Sequence, residues 1–162
     1  MRQQEILGDL LSAEDRRSEQ PKSRDTAGSR LCNHWSAPVL LERVQYLRKL
    51  ARFGDGSAIE TLREFPGHTA MLSVRLRSGS AEINEEFAQI LMVLEGRATL
   101  ATGGATNSME ESGATQISGG SQQELRTGDV VHLAAGTPFQ IMLTEDRTLS
   151  YLVTMVKECE AL

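Results

Sequence analysis

SAEINEEFAQILMVLEG, residues 80–96, and GDVVHLAAGTPFQ, residues 128–140, decide the fold between them. The first opens on polar residues and runs into FAQILMVL (87–94), an apolar stretch of strand length interrupted by Gln89. Both faces of such a strand must be covered, one by the interior of a barrel or sandwich and one by another layer. It closes on Glu95-Gly96, a turn signal. The second stretch places a short strand, 130–133, between the turns Thr127-Gly128-Asp129 and Ala135-Gly136-Thr137-Pro138.

On either side the period stays at two. Leu72, Val74 and Leu76 alternate with Ser73, Arg75 and Arg77, as in a half-buried strand that follows His68. Residues 97–102, 122–125, 139–143 and 149–156 are further short strands. Residues 103–120, rich in Gly, Ser and Thr, are expected to be a long loop. No helix intervenes, so a doubly wound α/β fold is disfavoured and an antiparallel barrel or sandwich is expected.

Ahead of the strands, residues 36–54 are expected to form one helix. Ser36 is a suitable N-cap and Pro38 lies in the first turn, where its missing N–H costs nothing. Leu40, Leu41, Val44, Leu47 and Leu50 recur at helical spacing, and Arg48, Lys49 and Arg52 lie near the C-terminal end, where the helix dipole favours cations. Residues 1–30 carry one apolar cluster (Ile6, Leu7, Leu10, Leu11) before a run of Ser, Arg, Glu, Asp and Lys. That run cannot bury enough apolar area to offset its ordering entropy, so a disordered or weakly helical leader is expected.

The two opening stretches resemble the two motifs of the cupin superfamily, in order and separation. Val93-Leu94-Glu95-Gly96 matches the end of the first family motif. Gly128-Asp129 and Ala135-Gly136-Thr137-Pro138 match the second. The resemblance covers roughly residues 68–158, and the preceding helix is similar to the extension of some small single-domain bacterial cupins. It implies an all-β cupin barrel (a double-stranded β-helix, or jelly roll) over 68–158, with one N-terminal helix at 36–54. The cupin domain would then occupy 31–162 after a leader over 1–30.

The resemblance also implies a metal held by three histidines and a glutamate, and here the sequence departs from the family. The motif-one histidine positions fall near Glu82 and Asn84, the carboxylate position on Gln89, and the motif-two histidine on Phe139. An amide binds transition metals weakly and a benzyl group not at all. Degenerate metal-ligand positions are therefore expected, with no cofactor and no metal. If Gln89 faces inward, so do Phe87, Leu91 and Val93; if Phe139 does, so do Ile141 and Leu143. The barrel pocket is expected to be formed by Glu82, Asn84, Gln89, His132 and Phe139, with Phe139 either walling the pocket or filling it. His132 is either a ligand or a hydrogen-bonded structural residue.

Two functions remain open at this point. One is a metal-free cupin that binds a small, mostly apolar molecule in the barrel or acts through its oligomer. The other is a metal-dependent oxygenase, isomerase or epimerase with an unusual ligand set such as Glu82, Glu86 and His132. Cupins commonly pair by their sheets, so a homodimer is expected; Ile90, Met92 and Leu94 would suit its seam or be buried under the helix.

Composition bounds the rest. The chain has 162 residues, enough for one domain with a real core, and 40% are hydrophobic. Its formal net charge of −5, with no Lys/Arg-rich block, speaks against nucleic acid or an anionic membrane as partner. Cys32 and Cys159 could pair only if the chain ends meet, and their spacing matches no zinc motif. With no apolar signal-peptide region at the N-terminus, a cytoplasmic location is expected.

Overall fold

The computed structural model of the protein describes residues 32–108 and 113–158. The leader over 1–30 and Cys159 lie outside these residues. The chain divides into two units, Met1–Trp35 and Ser36–Leu162. Within the first unit only residues 32–35 are described, and Cys32 is an exposed free thiol.

The second unit carries one helix and nine strands among the described residues. They are α1 (Ala37–Phe53), β1 (Ser57–Phe65), β2 (His68–Arg75), β3 (Phe87–Thr102), β4 (Ala105–Ser108), β5 (Thr115–Ser118), β6 (Ser121–Arg126), β7 (Val130–Leu133), β8 (Phe139–Met142) and β9 (Leu149–Lys157). Every strand pair is antiparallel.

β3 organises the barrel. The sequence suggests two strands here, separated by a turn at Glu95-Gly96. The structure has one strand of 16 residues that bends instead of turning. Its first part, Phe87–Gly96, pairs with β9, and Gln89–Met92 also pairs with β7. Its second part, Arg97–Thr102, pairs with β6, and Thr99–Thr102 also pairs with β8. A register shift between Val93 and Glu95 marks the bend. Gly96 makes it possible: its φ is 100°, and a Cβ there would lie 1.9 Å from the Thr148 carbonyl oxygen. One strand thus joins two sets of strands, β1-β2-β9-β3-β7 and β6-β3-β8, into one continuous seven-stranded sheet that wraps the core.

That core holds Leu91, Val93, Leu100, Leu125, Leu133, Phe139, Ile141, Leu149, Tyr151 and Val153. A second cluster joins α1 to the outer face of β1 and β2 through Val44, Leu47, Leu72 and Val74. Leu72 and Val74 are fully buried, and each such side chain contributes about 1.5–3 kcal/mol. The helix buries Leu40, Val44, Leu47 and Ala51, a stripe at the spacing expected, whereas Leu41 and Leu50 remain more than a third exposed. Ser36 does not cap through its side chain; its carbonyl accepts from the Leu40 amide at 3.0 Å.

Two further segments differ from the sequence-based expectation. The barrel begins at β1 and not at residue 68. Among the described residues β1 (SAIETLREF) pairs only with β2, and its burial alternates without a clean apolar face, as an edge strand's does. Residues 103–120, expected as a loop, contain the β4–β5 hairpin. Gly104 and Gly120 let its two arms leave the barrel side by side, since a Cβ on either would lie within 2.5 Å of a carbonyl oxygen of the other arm.

Candidate functional site

The two motif segments are joined by backbone hydrogen bonds at three levels. The Val93 amide donates to the Asp129 carbonyl and the Gly128 amide to the Val93 carbonyl, both at 2.9 Å. The Gly136 amide donates to the Asn84 carbonyl at 2.7 Å. Glu82 and Phe139 exchange both amide–carbonyl bonds, at 2.8 and 2.9 Å. These contacts draw the strap at 76–86 across one end of the barrel and fix where its side chains start.

Beneath the strap is a cavity of about 410 Å³. Its wall includes Met71, Leu91, Phe139, Val153 and Met155, with Ser73, Arg75, Gln89 and Tyr151 among them and Asp55 and Ile59 also lining it. Glu82, Asn84, Gln89 and Phe139, four of the five residues singled out from the sequence, line it together. Phe139, only 4% exposed, forms wall and leaves the space open.

The fifth, His132, is not there. It pairs with Ile90 on the outer face of the barrel and is exposed. Side chains alternate along β7, so with Leu133 in the core His132 must point out. The spacing across the 134–138 turn hides this from the sequence. His68, at the start of β2, stacks on Phe65 with ring centroids 4.4 Å apart and does not line the cavity either.

Arg75 is the lumen residue the sequence reading overlooked. It ends β2 on the inward face, and its side chain is 16% exposed. Its Nε donates to the Tyr151 hydroxyl at 3.1 Å and its Nη2 to the Glu82 carboxylate at 2.7 Å. Burial alone would lower the guanidinium pKa, but Tyr151 and Glu82 outweigh it and hold the charge above its ordinary range. The alternation from Leu72 to Arg77 carried the signal: an inward Ser73 and Arg75 follow from an outward Leu72 and Val74.

The donor set does not fit a divalent metal. The Glu82 carboxylate is held by Arg75. The Asn84 Oδ1 accepts from the amides of Glu86 (3.3 Å) and Phe87 (3.0 Å), closing a turn. Phe139 offers no donor atom. Among the described residues no group of three or more His, Cys, Asp or Glu could hold a metal ion, which excludes Glu82, Glu86 and His132 as a rebuilt set.

No protein-family model matches the chain, and no curated protein matches it. Solved structures do. A candidate mannose-6-phosphate isomerase of Ralstonia eutropha superposes with a TM-score of 0.50 at 14% identity, over 65% of this chain and 88% of its own. A protein of Thermus thermophilus gives 0.50 at 17% identity, over 68% and 93%. The cupin domain of a Schizosaccharomyces pombe protein gives 0.49 at 10%, over 63% and 61%.

The chain has a cupin fold.

At these identities the likeness reaches the fold and stops there, since cupins, like other common folds, host unrelated functions. In the lumen of this barrel an arginine–glutamate pair and an amide stand among apolar walls. No helix among the described residues is long and apolar enough to cross a membrane.

Proposed function

We propose that this cupin binds a small, largely apolar molecule in its lumen without a metal ion. The observation that carries the reading is the open cavity of about 410 Å³, within the range of about 300–1,000 Å³ usual for small-molecule sites. Its apolar wall would exclude water from the body of a ligand. Gln89 supplies both a donor and an acceptor to orient it. The lack of three metal-ligating side chains together among the described residues supports binding over metal chemistry. Amide spectra of the protein titrated with 1-octanol test this. Shifts confined to Gln89, Leu91, Tyr151 and Val153, and lost in Val153→Trp, are expected. Shifts only on the outer surface would overturn it.

A second reading rests on the outer face. Leu94 is partly buried under the helix, but Ile90 and Met92 are 41% and 38% exposed, because α1 packs on β1 and β2 and leaves β3 and β7 open. Val130 on β7 is exposed beside them. This strip suits a homodimer seam, through which the protein would act as an oligomer. Sedimentation equilibrium should then give a dimer that Met92→Glu dissociates; a strict monomer for the unaltered chain counts against it.

A further inference from the structure

We infer that the lumen ligand is a small monocarboxylate with an apolar tail, anchored by Arg75, and that Glu82 is the internal carboxylate it displaces. The inference rests on the binding function proposed above and names its ligand class.

Arg75 is firmly placed on one edge and loosely on the other. Its Nε edge is held by Tyr151, a buried residue of β9 that is 5% exposed. Its Nη2 meets Glu82 through one contact, and the Glu82 side chain is 48% exposed on the strap. The guanidinium is largely buried but its carboxylate partner is half-exposed, so an incoming anion can reach the pair from the Glu82 side and compete for Nη2. A planar guanidinium offers two parallel N–H groups to an incoming carboxylate. A ligand carboxylate that takes both replaces a single-donor contact with a double one and releases Glu82 into solvent.

Gly79 lies directly against this cation. Its backbone does not lie in the left-handed region, so its conformation does not require glycine. Yet a Cβ at Gly79 would lie 2.2 Å from Arg75 Nη1. A methyl there would push Nη1 from its present place. Gly79 is fixed from behind, its carbonyl accepting from the buried Gln140 Nε2 at 2.9 Å and its amide donating to the Ile141 carbonyl at 3.0 Å.

Charge and shape select the ligand. One guanidinium, with Glu82 on it and Asp55 also lining the cavity, suits a single negative charge and not a phosphate dianion. The tail would lie along Met71, Leu91, Val153 and Met155.

The test compares octanoate, 1-octanol and octylamine by calorimetry on the full chain, alongside Glu82→Gln, Gly79→Ala and Arg75→Met. Octanoate should bind roughly tenfold or more tighter than octanol, as a charge-assisted bond allows. Glu82→Gln should tighten octanoate by roughly threefold, since it removes the competitor from Arg75, and leave octanol unchanged. Gly79→Ala, which displaces Nη1, should weaken octanoate alone, and Arg75→Met should abolish its advantage. Should Arg75→Met not fold, the half-exposed Glu82→Gln variant still decides. Octanol binding with no preference for octanoate, or octanoate weakened by Glu82→Gln, overturns the carboxylate inference and leaves lumen binding standing. If none of the three ligands binds, both fall.

Discussion

Glu82 and Phe139 hold each other by two backbone hydrogen bonds, and both line the cavity. They stand where the cupin resemblance puts histidines on the two motifs. The pairing that brings these positions together needs only amides and carbonyls. The pairing therefore sets no requirement on the two side chains, which are free to serve the lumen.

Phe139 is part of the core as well as the wall. Phe139→Ala should destabilise the protein by about 3–5 kcal/mol, through lost burial and a residual cavity. Urea unfolding followed by circular dichroism measures this. A loss below about 1 kcal/mol would mean that the ring does not pack as described.

The bend of β3 depends on one residue without a side chain. Gly96→Ala places a methyl group against the Thr148 carbonyl at a φ of 100° and should cost at least about 2 kcal/mol. Gly67→Ala, where φ is 86° but no atom lies within 4 Å, should cost less. Thermal melts of the two variants compare close approach with backbone strain, and equal losses would contradict the account.

Arg48 ties α1 to the barrel. Its Nη2 donates to Glu95 at 2.8 Å and to the buried Ser150 hydroxyl at 3.3 Å. Arg48→Ala should cost about 1 kcal/mol, because the ion pair is partly exposed but Ser150 loses its partner. In a double-mutant cycle with Glu95→Gln, the two losses should be less than additive; full additivity would show the pair to be uncoupled.

Two exposed carboxylates should titrate low for different reasons. Asp55 accepts from the hydroxyl and amide of Ser57, and these bonds pull its pKa down. Glu124 is lowered by its hydrogen bond to Arg126 and by that residue's charge. A lowered folded-state pKa means that each contribution is present above the ordinary carboxylate value, about 4, and is lost as pH falls through the folded value. Carbon-detected titration should place both midpoints below that value. Raising salt should move Glu124 upward more than Asp55, since salt screens the Arg126 charge and not the Ser57 bonds. Equal movement would contradict these causes.

Much of this was legible in the chain. The glycine turns of the second motif, the period-two strands and the helix stripe of Leu40, Val44 and Leu47 are local signals, and each led to the element the structure contains, whereas Glu95-Gly96 proved to be a bend within β3. Legible too was the inward set of Gln89 and Phe139, because alternation carries a face along a strand. β1 was missed because an edge strand with Glu60, Arg63 and Glu64 lacks an apolar face. The β4–β5 hairpin was missed because its strands are short and largely exposed, so no periodicity marks them. His132 was misplaced because a turn of unknown geometry separates it from Phe139. Arg75 was passed over because an arginine alternating with leucine and valine reads as a solvent-facing residue; only the helix on the opposite face turns it inward.

The proposal depends on a lumen in which a guanidinium, and no metal ion, meets the ligand. Metal content of the purified protein by plasma mass spectrometry, with amide spectra recorded after addition of Mn²⁺, Fe²⁺, Ni²⁺ or Zn²⁺, tests this most directly. The account predicts no stoichiometric ion and no shift at Glu82, Gln89 or Tyr151. A stoichiometric ion that shifts those residues and is lost in Glu82→Gln would contradict it.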